Sequence, residues 1–218
     1  MSKVMMIHPL SPLRYTAIGD SITAGIGAWF NYGYAYQYRD FIEKDWKTRV
    51  IFRNLGKTGW TSQQLLHRLR NDATFFKAIQ TADIITCSIG GNDLLQAGRV
   101  YDKTKNKKAV EMALQNFRHN FLFIDQSIKN IKKSSTAPYM LRYIELYNPL
   151  PEFPLARQSV KKLNQILHKA ADSHTKIAPV YAAFLHQEST LLFIDGKHPN
   201  YKGHRVIAET IRSLDAKP

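Results

Sequence analysis

Five short runs rich in β-branched and aromatic residues recur along the chain, at 15–18, 49–54, 83–89, 139–147 and 175–180, with longer helix-patterned segments between them. Each run has the length of a strand rather than a helix. The clearest helical segment is 106–132. There Val110, Leu114, Phe117, Phe121, Ile124, Ile128 and Ile131 step alternately by four and three residues, the spacing of one helix face. Val160, Leu163, Leu167 and Ala170 repeat that spacing behind Pro149, Pro151 and Pro154, and Val206, Ile207, Ile211 and Leu214 mark a last helix. Strand–helix alternation predicts βαβ units, a mainly parallel sheet and helices on both of its faces. The expectation is one three-layer α/β domain over residues 1–218, with 1–14 as a lead-in. Arg142 and Glu145, inside the fourth run, are out of keeping with a strand buried on both faces.

Composition narrows the function classes. With 44% hydrophobic and 22% charged residues, the chain is not generally disordered. The single cysteine, Cys87, excludes an internal disulfide framework and a Cys-rich zinc site. Cys87 falls within the third run and reads as a buried, inert thiol. No apolar run approaches the roughly 18 residues of a membrane span. The run Val4-Met5-Met6-Ile7 is too short for the apolar core of a signal peptide, about 7–15 residues, so a cytoplasmic location is expected over secretion. The 31 Lys and Arg against 17 Asp and Glu leave +14. That favours anionic partners, an anionic membrane surface among them, but no nucleic-acid-binding signature accompanies it.

In a parallel sheet, ligands sit outside the carboxyl ends of the strands. The loops that fall there are Gly19-Asp20-Ser21-Ile22-Thr23, Asn54-Leu55-Gly56-Lys57-Thr58-Gly59 and Gly90-Gly91-Asn92-Asp93. A fourth polar loop, Asp195-Gly196-Lys197-His198-Pro199-Asn200, lies near the C-terminus. Ser21 is a weak nucleophile unless a base stands within hydrogen-bond reach and is itself oriented. Asp195 and His198, three residues apart in a tight loop, supply both: a carboxylate for Nδ1–H and a free Nε2 for the serine. Gly59 and Asn92 are at strand ends and are of the types that stabilise an oxyanion, a backbone N–H at a turn and a side-chain amide. The alternative for Asn92, and for Asp93, is capping of a short following helix.

The blocks 18–23, 54–62, 90–93 and Asp195-x-x-His198-Pro199, in this order, resemble the GDSL esterase/lipase, or SGNH hydrolase, family, over residues 18–204. The runs Tyr15-Thr16-Ala17, 91–96 and Leu146-Tyr147-Asn148-Pro149 are similar to the branch of that family active in spore germination of bacilli, which implies a spore-associated location as the alternative to a cytoplasmic one. The resemblance implies Ser21 as nucleophile and His198 as general base and acid, oriented by Asp195. It implies an oxyanion hole from the Ser21 and Gly59 backbone amides and the Asn92 side chain. It also implies a flavodoxin-like sandwich with a five-stranded parallel sheet, and neither metal nor organic cofactor.

Seven aromatics crowd residues 29–41. Trp29, Phe30 and Tyr32 are the candidates for substrate contact, as an apolar wall or interfacial lip. Tyr34, Tyr38 and Phe41 read equally well as the buried face of a helix. Arg99, Lys103, Lys105, Lys107 and Lys108 fall in an expected loop before the long helix and would draw an anionic lipid surface. A metal site from Asp195, His198 and His204 lacks ligand spacing; His204 reads as the start of the last helix. The function expected is a serine carboxylester hydrolase acting on lipid-like acyl esters. An acyl-thioesterase, a carbohydrate O-deacetylase, or a non-catalytic basic surface-binding protein on the same fold are the alternatives.

Overall fold

The computed structural model describes residues 11–134 and 137–215. Five strands, β1 (Leu13–Gly19), β2 (Val50–Gly56), β3 (Ile84–Ser88), β4 (Met140–Ile144) and β5 (Thr175–Ala178), form one sheet in the order β2-β1-β3-β4-β5. Every pairing is parallel. Among the described residues ten α-helices connect and cover them: α1 (Ser21–Ala24), α2 (Tyr34–Trp46), α3 (Ser62–Asn71), α4 (Ala73–Gln80), α5 (Gly91–Thr104), α6 (Lys108–Lys133), α7 (Pro154–His168), α8 (Val180–Phe184), α9 (Glu188–Leu191) and α10 (Tyr201–Leu214). The three-layer sandwich expected from the alternation is the architecture found. Most of the expected lead-in, residues 1–10, lies outside the described residues, and Leu13 and Arg14 already belong to β1.

The period-2 alternation of the strands divides the core. Ile18, Ile85, Cys87, Leu141 and Tyr143 point to one face, under α3, α4, α6 and α7. Tyr15, Ala17, Ile84, Ile144 and Ala178 point to the other, under α2, α8 and α10. The face read from the sequence for α6 is the buried one, with Leu114 alone only partly covered. Tyr34, Tyr38 and Phe41 are buried in the second core cluster, so these three are a helix face.

β4 ends before the run that announced it, and both charged residues of that run have partners. Arg142 stays in the strand, buried. Its guanidinium pairs with Asp215 at 2.6 Å and donates to the Leu141 and His174 carbonyls at 3.0 and 3.1 Å. Glu145 lies just past the strand end, where it accepts the Tyr181 N–H at 3.1 Å and meets His168 Nε2 at 2.7 Å. Beyond it, Asn164 of α7 substitutes for a neighbouring strand. Its amide accepts from Leu146 N–H at 2.9 Å and donates to Leu146 C=O at 2.8 Å. The backbone therefore leaves the sheet at Leu146 with both of that residue's polar groups bonded.

The expected basic loop is corrected in part. Arg99 and Lys103 are on α5 and Lys108 begins α6, so only 105–107 connect the two helices.

Candidate active site

The order β2-β1-β3-β4-β5 reverses direction between β1 and β3, the crevice where such sheets bind ligands. Gly19 ends β1 there at φ +134°, and a Cβ on it would lie 2.0 Å from the Ser88 carbonyl of β3. Only glycine permits that approach. Asp20 then donates its N–H to Ser88 C=O at 3.1 Å, and its carboxylate accepts the Ile22 N–H at 3.0 Å, capping α1. Ser21 is thereby fixed as the first residue of α1, where its own N–H has no partner within the helix. Burial pushes the Asp20 carboxyl up to about 6, against the Ser88 hydroxyl and Ile22 N–H bonds that lower it.

The C-terminal loop brings the other two groups to Ser21. A bridge between Leu192 and Pro199, with Phe193 N–H bonded to His198 C=O at 2.8 Å, closes a tight turn over 193–198. Inside it, Asp195 Oδ1 accepts the Lys197 and His198 backbone N–H groups at 2.9 and 3.0 Å. Asp195 Oδ2 meets His198 Nδ1 at 2.5 Å, and His198 Nε2 stands 2.9 Å from Ser21 Oγ. Partial burial opposes ionisation of Asp195, but the bonds from the His198 ring and these two amides outweigh it. Its carboxyl is held below the usual range. A negative Asp195 favours Nδ1–H on His198, so Nε2 presents a lone pair to the serine.

Two further contacts lock this loop to the one bearing Ser21. Gly27 packs so closely on Pro199 that a Cβ would lie 2.2 Å from its carbonyl oxygen. His204, buried in α10, meets Tyr34 N–H at 3.1 Å through Nδ1 and the Ile26 carbonyl at 2.9 Å through Nε2. Burial pulls its pKa down to about 4, so it is neutral, accepting at one nitrogen and donating at the other. These partners account for both nitrogens, and among the described residues no group of three or more His, Cys, Asp and Glu could hold a metal.

Asn92 is the second residue of α5, whose N-cap is Gly90, and α5 is 14 residues long. The reading of Asn92 or Asp93 as the cap of a short helix is corrected accordingly. The Asn92 amide donates to the Trp60 carbonyl at 2.9 Å, which leaves its second N–H unspent. Asp93 serves the neighbouring helix instead, accepting the Ser62 N–H and hydroxyl at 2.9 and 2.5 Å at the start of α3. Gly59 is exposed in the turn before Trp60, at φ +84°, and its N–H donates to no group among the described residues. The second and third sequence blocks are thus fastened together by Trp60–Asn92 and Ser62–Asp93.

A cleft of about 550 Å³ opens beside these groups, with Ser21, Asn92 and His198 in its wall. One side is α5, through Leu94, Leu95, Gly98 and Tyr101. The opposite side is the segment running from Leu146 through Phe153 to Val160. A second cavity, of about 280 Å³ between α2 and α10, shares none of these residues. Trp29, Phe30 and Tyr32 do not line the cleft. Trp29 and Phe30 are exposed on a short 3₁₀ turn with Phe30 at φ 49°, and the Tyr32 hydroxyl bonds Asp40. The expectation that these three form the wall is corrected. The wall was announced by Leu94, Leu95, Gly98 and Tyr101, spaced on one face of a helix, a signal masked by reading 99–108 as loop. Gly59 is likewise outside the cleft lining.

Comparison with known proteins bears on this geometry. A family model described as GDSL-like Lipase/Acylhydrolase matches residues 17–206. The spore germination lipase LipC of Bacillus licheniformis is 32% identical over 203 residues, covering 92% of this chain and 95% of the relative. Among solved structures, the lipase Lip_vut3 from a goat rumen metagenome superposes with a TM-score of 0.88 at 32% identity, covering 92% of this chain and 96% of that one. Axe2, an acetylxylan esterase from Geobacillus stearothermophilus, shares the fold at a TM-score of 0.64 and 20% identity, over 94% and 95% of the two chains.

Proposed function

The chain belongs to the GDSL-like lipase/acylhydrolase family of ester hydrolases, and from that premise we propose that it is a serine carboxylester hydrolase acting on lipid-like acyl esters. The observation that carries the proposal is the bonded chain Ser21–His198–Asp195, with 2.9 and 2.5 Å between the reacting heteroatoms. Ser21 Oγ attacks the ester carbonyl while His198 Nε2 takes its proton. Asp195 keeps the imidazole in the required tautomer and stabilises the imidazolium. The carbonyl oxygen, now negative, is held by the Ser21 N–H and by the free N–H of Asn92; Gly59 N–H, outside the cleft lining and without a partner among the described residues, is the third donor that the family resemblance implies. Collapse expels the alcohol, protonated by His198, and leaves an acyl ester on Ser21. Water, deprotonated by His198, then releases the acid and restores the serine.

The cleft favours a lipid-like acyl group over acetylated sugar, because most of the surface its lining exposes is apolar. Similarity to the spore germination lipase LipC of Bacillus licheniformis supports the same substrate class and a spore-associated location. Among the described residues no helix is long and apolar enough to cross a membrane; approach to an anionic lipid surface would rest on the basic excess. Kinetics on p-nitrophenyl esters test the reading. Wild type should turn over these esters, and Ser21→Ala should retain its melting temperature with nearly all turnover gone. Turnover by Ser21→Ala at the wild-type rate would refute it.

A further inference from the structure

The cleft beside Ser21 has a direction. It follows α5 from Asn92 to Asp102, about 15 Å at about 1.5 Å per residue. It starts at the serine and ends at charged side chains, Asp102 and Lys107. An extended chain advances roughly 1.2 Å per bond, so the cleft spans roughly 12 bonds of a linear chain.

Gly98 lies in the middle of that wall and in the middle of a 14-residue helix. Glycine weakens a helix interior relative to alanine. The usual reasons for tolerating it do not apply here. Its φ is not in the left-handed region, and a Cβ built on it would meet no atom within 4 Å. Neither backbone conformation nor crowding asks for glycine. What it does is leave the cleft without a side chain six residues beyond Asn92, about 9 Å along α5. Leu94 and Tyr101, on the same helix face, bracket the gap from either end.

We infer that Gly98 is a specificity-determining residue: its missing side chain admits linear acyl chains longer than about seven bonds into the distal half of the cleft. The inference rests on the ester-hydrolase reading and adds the chain-length class to it. Asn92 stands at the start of α5 and would hold the carbonyl oxygen, so the carbon chain attached to that carbonyl is the part directed along the helix.

The test uses p-nitrophenyl butanoate and decanoate with wild type, Gly98→Ala, Gly98→Leu and Gly98→Trp. The decanoate-to-butanoate ratio of kcat/KM should fall in step with side-chain size, by at least about tenfold for Leu and Trp, because a single methylene in an apolar pocket is already worth about tenfold. The loss should appear mainly in KM for decanoate. Leucine is a good helix former, so that variant carries the test if tryptophan disturbs folding. An unchanged ratio overturns the inference, whether both rates hold or both fall together. A fall confined to acetates of long-chain alcohols overturns it too, since the cleft would then hold the alcohol. A folded wild type that hydrolyses no ester overturns the ester reading and this inference with it. An active wild type whose variants keep the ratio overturns the role of Gly98 alone.

Discussion

Replacing Asn92 with alanine separates an oxyanion donor from a structural residue. Asn92 lies inside α5 and Gly90 is the N-cap, so no cap is lost. The structural loss is one N–H to the Trp60 carbonyl at 2.9 Å, a bond worth about 0.5–1.5 kcal/mol net. Alanine, the better helix former, recovers roughly half a kcal/mol of that. The net destabilisation is therefore at most about 1 kcal/mol, or about 2–4 °C in Tm for a chain of this size. The catalytic loss is larger. A single oxyanion donor is worth about 10²–10³ in kcat, roughly 2.7–4 kcal/mol, and KM changes little because the interaction strengthens only as the charge develops. Steady-state kinetics on a short p-nitrophenyl ester, paired with a thermal melt, measures both. A kcat within about threefold of wild type, with only the melt displaced, would refute the reasoning and reduce Asn92 to a tie between two loops.

Other perturbations probe the frame and the surface. Arg142→Met leaves Asp215 buried without its guanidinium partner, and should cost about 3–5 kcal/mol in a denaturant melt; a loss below about 1 kcal/mol would show that the pair is not structural. Burial holds His204 at about 4 against an ordinary 6.5. The folded state therefore favours the neutral ring, and that contribution is fully present above pH 6.5 and lost as pH falls toward 4. The gap is worth about 3 kcal/mol. Denaturant melts at both pH values should show His204→Gln losing correspondingly less on acidification than wild type, and parallel losses would contradict the assignment. Arg99 and Lys107, both in the cleft wall, should make turnover of anionic phospholipid vesicles fall with added salt, screened over about 8 Å at physiological ionic strength. Turnover of a soluble ester should not follow. Equal salt dependence on both substrates would remove any role for the charge in approach to a surface.

Much of the fold is legible in the chain because local pattern and tertiary burial agree. The step of four and three from Val110 to Ile131 marks the face that α6 buries, and strand–helix alternation leads to the parallel sheet. The fourth strand ends earlier than its pattern predicts because sequence hydrophobicity does not report who bonds the backbone. Leu146 is apolar and strand-like, yet its partner is the side chain of Asn164. Arg142 looked foreign to a buried strand until Asp215, 73 residues on, supplied its counter-charge. At the site, Ser21, His198 and Asp195 are brought together, and the loops that carry them were visible as polar, Gly-rich punctuation. The cleft wall was not. The dense aromatics at 29–32 lie on a turn that is exposed to solvent, whereas the wall is formed by the sparser face of α5, interrupted by a glycine. A cleft is a property of facing elements, and one of its faces begins where Asn164 takes over the backbone bonds of Leu146.

The most direct test of the account is to find the atom that becomes acylated. Wild-type protein treated with an alkyl fluorophosphonate and digested should yield one modified peptide, with the phosphonyl group on Ser21. Ser21→Ala should give none, and His198→Ala should label far more slowly because Oγ loses the base now 2.9 Å away. A phosphonyl adduct on any other serine, or equal labelling of the His198→Ala protein, would contradict the assignment of Ser21 as the nucleophile.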